Sequence, residues 1–319
     1  MASGLITGTS TGIGLATALT LGRAGHNVYA TMRNPSRSPE LAETAAQEGL
    51  PIKVSVMDVD SDTSVKTAIA SIQHDAGHID VLVNNAGVER NGSVEELSLA
   101  DFRAVMETNY FGPLRCIQAM VPQMRQRKSG CIINVSSVAG RVATSPLAPH
   151  TASKFALEAL SEALAQEMKT FNVRVALVEP GIIDTPMARE LEGPAGSSAY
   201  LQRRRFGHMF TAALKNPAPS SLVADKILEI IQSRTWQLRR PIGPDAMQFL
   251  GWRTSMTDEQ WVDLHAAADE TWYELMEHDF GLAIRPKNWK CGFRNAGLFL
   301  RRVCDSETMI IVVTSPCRK

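Results

Sequence analysis

The chain has 319 residues, 33 basic and 33 acidic, and a formal net charge of zero. Hydrophobic residues make up 44%, enough for one large core or two smaller ones, and the neutral balance excludes a chain-wide nucleic-acid footprint. The zero conceals a split, because residues 1–286 carry five more acids than bases and residues 287–319 five more bases than acids.

No basic n-region or apolar h-region opens the chain, and no stretch approaches the roughly 18 apolar residues of a membrane span. Five scattered cysteines make neither a disulfide framework nor a zinc-ligand spacing. The expectation is a cytoplasmic protein with reduced thiols and no metal.

A strand is predicted over residues 4–7 and a helix over 13–23. Between them runs Thr7-Gly8-Thr9-Ser10-Thr11-Gly12-Ile13-Gly14. Glycines permit the tight turn and let backbone N–H groups approach a pyrophosphate at a helix N-terminus. A strand before and a helix after such a turn predict a nucleotide site. The second strand, 27–31, runs into Met32-Arg33-Asn34. An acid here would bond ribose hydroxyls and repel a 2′-phosphate, whereas arginine offers a planar fork to phosphate. NADP(H) is therefore expected, with Arg33 and Ser10 near the phosphate.

Helical windows at 41–48, 64–74, 101–126, 152–170 and 221–233 then alternate with strands at 52–57, 81–84, 131–136, 173–178 and 237–240. Such alternation predicts an α/β, doubly wound parallel sheet of the Rossmann kind. It forms a single NADP(H)-binding domain over 1–286, with extra C-terminal helices at 246–252 and 258–278. Residues 190–219 interrupt the alternation with Gly193, Pro194, Gly196, Pro217 and Pro219 around three arginines, and are read as a lid insertion. A Trp and Leu stripe (Trp261, Leu264, Trp272, Leu275) is read as packing. The basic tail 287–319 holds Cys291, Cys304 and Cys317 and has no clear period. A read-through or frameshifted extension, an oligomer arm or lid, and a membrane-surface contact are its open readings.

These motifs in this order resemble the short-chain dehydrogenase/reductase family. TGxxxGIG is met by Thr7, Gly8, Gly12, Ile13 and Gly14. Asp58-Val59 resembles the family's adenine contact, and Asn84-Asn85-Ala86-Gly87 its NNAG signature. Asn109 resembles the asparagine that holds a proton-relay water, Ser137 the catalytic serine and Lys154 the catalytic lysine. Pro180, Gly181, Ile183 and Thr185 match the segment that meets the nicotinamide, and 240–246 resembles the family's ending. The resemblance covers about residues 3–250 and is nearest in look to the 17β-hydroxysteroid and retinol dehydrogenase branch. It implies hydride transfer between the nicotinamide and a carbonyl or secondary alcohol. It also implies a homodimer or homotetramer through helices 101–126 and 152–170. The family's YxxxK motif is broken, because the tyrosine position is His150.

Hydride chemistry belongs to the cofactor, while the protein must move one proton at the oxygen and hold that oxygen in place. Imidazole reaches roughly 2 Å less far than a phenol from the same Cα, and Lys154 one turn on disfavours a second positive charge. Three readings are open. His150 cripples an ordinary carbonyl reductase scaffold; it works directly or through water with reduced or altered activity; or the chain is a catalytically silent NADP(H)-binding sensor or partner protein. A Ser137–His150 hydrolase is disfavoured, since no GxSxG elbow surrounds the serine. Tyr200, Leu201, Phe206, Met209 and Phe210 in the insertion are expected to line a pocket for a bulky, apolar substrate.

Overall fold

The computed structural model describes residues 1–192, 198–233 and 235–285. The 287–319 tail lies outside the described residues. In chain order, β1 (Ser3–Thr7), α1 (Gly12–Arg23), β2 (Asn27–Met32), α2 (Glu40–Glu48), β3 (Ile52–Val56), α3 (Asp62–Ala76) and β4 (Val81–Asn84) form the first half. Next come α4 (Leu99–Met106), a π-helical turn (Glu107–Phe111), α5 (Gly112–Arg127), β5 (Gly130–Val135), α6 (Ala148–Lys169) and β6 (Val173–Pro180). A two-residue strand β7 (Ile183–Asp184) and the short α7 (Pro186–Arg189) precede α8 (Leu201–Ala213). β8 (Ala218–Pro219), α9 (Ser220–Gln232), β9 (Arg239–Ile242), α10 (Ala246–Thr254), α11 (Asp258–Ala266) and α12 (Asp269–Phe280) complete the described chain.

Among the described residues, seven strands make one sheet in the order β3-β2-β1-β4-β5-β6-β9. Every pairing in it is parallel. Neighbouring apolar residues in its central strands serve opposite faces, as a two-sided buried sheet requires. Leu5, Leu82 and Ile132 pack under α3, α5 and α6 with Ile69, Met120 and Leu164. Ile6, Val83 and Ile133 pack under α1 and α9 with Ala18, Val223 and Ile227. Each such side chain contributes about 1.5–3 kcal/mol by leaving water.

Three expectations need correction. The helix predicted over 101–126 is two helices joined by a π turn at Glu107–Phe111. The window 258–278 is also two helices, because Ala267 and Ala268 are extended (ψ 162° and 153°). The insertion that interrupts the predicted alternation contains a helix the sequence reading did not include, α8. Its Phe206 and Phe210 join Phe249, Trp252, Trp261, Leu264 and Trp272 in a third apolar cluster, against which Leu275 packs, so the Trp and Leu stripe is indeed packing. Arg205, only 2% exposed, fastens α8 to the C-terminal helices. Its Nε donates to Asp269 at 2.7 Å and its two terminal nitrogens to the carbonyls of His265 and Ala267.

Candidate active site

The order of strands reverses between β1 and β4, and a crevice opens there at the carboxyl ends of the strands. The turn after β1 forms one wall. Gly8 and Gly12 hold φ of +69° and +56°, in the left-handed region that glycine tolerates best. The Thr7 hydroxyl accepts from the backbone N–H groups of Asn85 and Ala86, each at 3.0 Å. The Asn85 amide donates back to the carbonyls of Thr7 and Gly8, also at 3.0 Å. The turn and the loop after β4 are thus one bonded unit.

A cleft of about 350 Å³ runs from this turn across the sheet. Gly8, Ser10, Gly12, Ile13, Arg33, Asp58, Val59, Asn85, Ala86 and Gly87 line one end. Asn109, Ser137, His150, Lys154, Pro180, Gly181, Ile183 and Thr185 line the other. Of the catalytic and cofactor-binding residues expected at the site, only Gly14 stays out of the lining. It stands behind the turn, where a Cβ would overlap Gly8 O and Asn85 Nδ2, so it serves helix packing against the turn. Arg33 is exposed at the end of β2 and makes no ion pair among the described residues.

The other end of the cleft draws on three elements. Ser137 follows β5 and its hydroxyl accepts from Ala139 N–H at 3.1 Å. His150 and Lys154 lie one turn apart near the start of α6, whose Pro149 sits in the first turn. Lys154 Nζ donates to the Val135 carbonyl at 2.8 Å. Asn109 sits in the π turn, a helix defect common at functional sites. Its Oδ1 accepts from Val88 N–H at 2.8 Å, and its Nδ2 donates to Val88 O and to Ser153 Oγ at 3.0 Å.

Burial dominates the electrostatics. It pushes Lys154 down to about 8, against the opposing carboxylates Glu158 and Glu89. Burial, then the Lys154 charge, pushes His150 down to about 3, so the imidazole is neutral at pH 7. Burial lifts Glu89 to about 7, with Lys154 pulling the other way and Glu190 adding to the rise.

Glu89 was not foreseen. Its Oε2 lies 3.8 Å from His150 Nδ1, and each side chain is 9% exposed. The available signal was an acid two residues beyond NNAG, in a loop already assigned to the site. Asp245 was also missed. It accepts from Ile182 N–H at 2.9 Å and holds the Pro180–Ile183 segment under the cleft.

The far wall is apolar, with Val142, Leu147, Leu191, Phe206, Met209, Phe210 and Phe249. Three of the five insertion residues therefore face the cleft. Tyr200 and Leu201 do not line it; they are exposed, and the Tyr200 hydroxyl donates to Glu95.

The residues present fit a dinucleotide: two positive-φ glycines at a helix N-terminus and the exposed Arg33 guanidinium at the end of β2 border one groove. The parallel sheet, the glycine turn and the serine-lysine end of the cleft define an oxidoreductase built on a nucleotide-binding fold. Residues 4–195 match the short chain dehydrogenase family model, and the chain belongs to that family, whose members use a nicotinamide cofactor. It is 33% identical over 273 residues to an oxidoreductase of Botryotinia fuckeliana, covering 82% of this chain and 97% of that one. It is 44% identical over 194 residues to retinol dehydrogenase 8 of Bos taurus, covering 59% of this chain and 60% of that enzyme's length. Among solved structures, a gluconate 5-dehydrogenase from Burkholderia cenocepacia in complex with NADP and tartrate superposes with a TM-score of 0.67 at 25% identity. That match covers 77% of this chain and 95% of the other. No helix among the described residues is long and apolar enough to cross a membrane.

Proposed function

We propose that the chain is an NADP(H)-dependent oxidoreductase that interconverts a bulky, apolar carbonyl compound and its secondary alcohol, with turnover reduced by His150. The observation that carries this reading is the single cleft. It joins the glycine turn and Arg33 at one end to Ser137, His150 and Lys154 at the other, beside an apolar wall. The bound nicotinamide would supply or take the hydride. Gly8, Gly12 and Ile13 would hold the pyrophosphate, Asp58 and Val59 the adenine, and Lys154 the nicotinamide ribose. Ser137 would orient the substrate oxygen and His150 exchange a proton with it, while Asn109 fixes the Val88 loop beside them. The solved NADP complex of a related fold supports the cofactor. Exposed Phe111 and Phe155, on the π turn and α6, support a homo-oligomer through that face.

Phosphate recognition by arginine uses charge-assisted hydrogen bonds of about 1.5–3 kcal/mol each. Arg33→Ala is accordingly expected to raise the NADPH dissociation constant by about 10–100-fold and to leave NADH binding within about twofold. Fluorescence titration with both cofactors checks this, and equal losses for the two would remove Arg33 from the 2′-phosphate.

NADPH oxidation against a panel of ketones, aldehydes and quinones tests the reaction. The deep burial of His150 favours one second reading, cofactor binding without turnover. Tight NADPH binding with no oxidation in either the wild type or His150→Tyr would establish it.

A further inference from the structure

A neutral imidazole is a poor lone proton donor, since giving up its N–H would leave an imidazolate. It becomes competent when its second nitrogen takes a proton as the first one leaves. Among the described residues, His150 Nδ1 and Glu89 Oε1 are both buried and have no hydrogen-bond partner. Glu89 Oε2 stands 3.8 Å from that same Nδ1. A buried carboxyl and a buried imidazole thus stand side by side at the wall of the cleft, a pair that one proton would close.

We propose that Glu89 delivers a proton through the His150 imidazole to the substrate oxygen, the two side chains together replacing a single proton donor. The inference rests on the reductase reading. When bound, the reduced nicotinamide would supply the hydride to the carbonyl carbon, and the C=O π pair would move to the substrate oxygen as negative charge. His150 Nε2–H breaks, and an O–H bond forms on the product alcohol. In the same step the Glu89 carboxyl O–H breaks and Nδ1–H forms, so the imidazole stays neutral with its tautomer exchanged. Glu89 is left a carboxylate and recovers its proton from water, as the ring recovers its first tautomer. Glu89 acts through His150 and is a positioning residue with a proton to give.

The groups facing the pair set its pH behaviour. Lys154 on α6 faces both members, Glu190 after α7 faces Glu89, and a hydrogen bond with the Val88 backbone favours the charged ring. Lys154 favours the Glu89 carboxylate, whereas burial and Glu190 favour the acid. The acid form is the donor, so reduction slows as pH rises through about 7 and alcohol oxidation accelerates over the same range.

The test has two arms. In the first, 15N-labelled full-length protein without cofactor is titrated from pH 5 to 9, with the His150 ring signals assigned by their loss in His150→Phe. The expected result is an inflection near pH 7 that disappears in Glu89→Gln. Ring signals that do not move near pH 7 in the wild type would overturn the pair, and this measurement needs no variant other than the one used for assignment. In the second arm, Glu89→Gln lowers kcat for ketone reduction by about 10²-fold, flattens its pH profile near 7 and leaves the NADPH KM within about twofold. Glu89→Asp retains part of the rate. In a His150→Tyr background the Glu89→Gln change has an effect of less than about threefold, because tyrosine needs no relay. An equal loss in both backgrounds would make Glu89 structural and overturn the proposal. A clear NMR inflection in a protein with no NADPH oxidation would leave the pair standing and sink the reductase reading instead.

Discussion

His150→Tyr is expected to raise NADPH-dependent ketone reduction by about 10²-fold or more. A well-placed general acid is worth about 10²–10⁴-fold, and the relay of neutral imidazole and buried carboxyl recovers only part of that. A phenol extends roughly 2 Å farther into the cleft than imidazole. It would stand on the same face of α6 as Lys154, whose Nζ is fixed against the Val135 carbonyl at 2.8 Å. Lys154 remains mostly charged at pH 7, since burial brings it down only to about 8. Its charge stabilises a phenolate and lowers the phenol from its ordinary value of about 10. Ser137, one of the cleft residues, is untouched by the change. The paired control is His150→Phe, which keeps an aromatic ring and removes both nitrogens. It should lower turnover about 10²-fold below the wild type and leave NADPH affinity within about twofold. Steady-state kinetics on purified protein at pH 7 decide the matter. A His150→Tyr enzyme no faster than the wild type would show that imidazole already meets the demand of the reaction.

What the sequence disclosed about this site follows the range of the interactions involved. The turn from Thr7 to Gly14 is local: its glycines, the strand before it and the helix after it are contiguous, and their spacing states their purpose. His150 and Lys154 are also local, being one turn apart on α6. Asn109 was legible as a residue and not as a geometry. The helix-forming pattern runs unbroken through Glu107–Phe111, and only packing against α6 and the Val88 loop shows the π turn that holds Asn109 in place. Glu89 was invisible for a related reason. An acid in a loop is ordinarily solvated, and its burial arises because that loop folds back over α6. The same holds for α8. The three arginines in the Gly- and Pro-flanked stretch carried no partner in the sequence reading, and Arg205 is buried because Asp269, 64 residues later in sequence, comes to meet it at 2.7 Å.

Gly14→Ala should cost the protein both its cofactor and much of its stability, although Gly14 itself does not line the cleft. A Cβ at this position would overlap the Gly8 carbonyl oxygen and the Asn85 amide nitrogen, and would come within 2.9 Å of the Gly8 carbonyl carbon. Two of these three atoms belong to backbone, so no rotamer change relieves the overlap. Asn85 can move only by losing its bonds to the carbonyls of Thr7 and Gly8, each worth about 0.5–1.5 kcal/mol. Overpacking of this kind adds about 1–3 kcal/mol. The sum, about 2–6 kcal/mol, corresponds to a fall in Tm of about 10 °C for a domain of this size. Cofactor affinity should fall further than stability alone requires, by more than about 10²-fold, because Gly8 is itself the backbone proposed to approach the pyrophosphate. The control is Gly251→Ala on the exposed side of α10. Nothing lies within 4 Å of a Cβ there, and alanine in a helix interior is better than glycine by about 0.5–1 kcal/mol. Differential scanning fluorimetry with and without NADPH separates the effects. Gly251→Ala should keep its ligand-induced shift, whereas Gly14→Ala should lose it even at temperatures where the variant is still folded. A Gly14→Ala protein that kept the wild-type NADPH shift would remove the Gly8 backbone from the proposed pyrophosphate site.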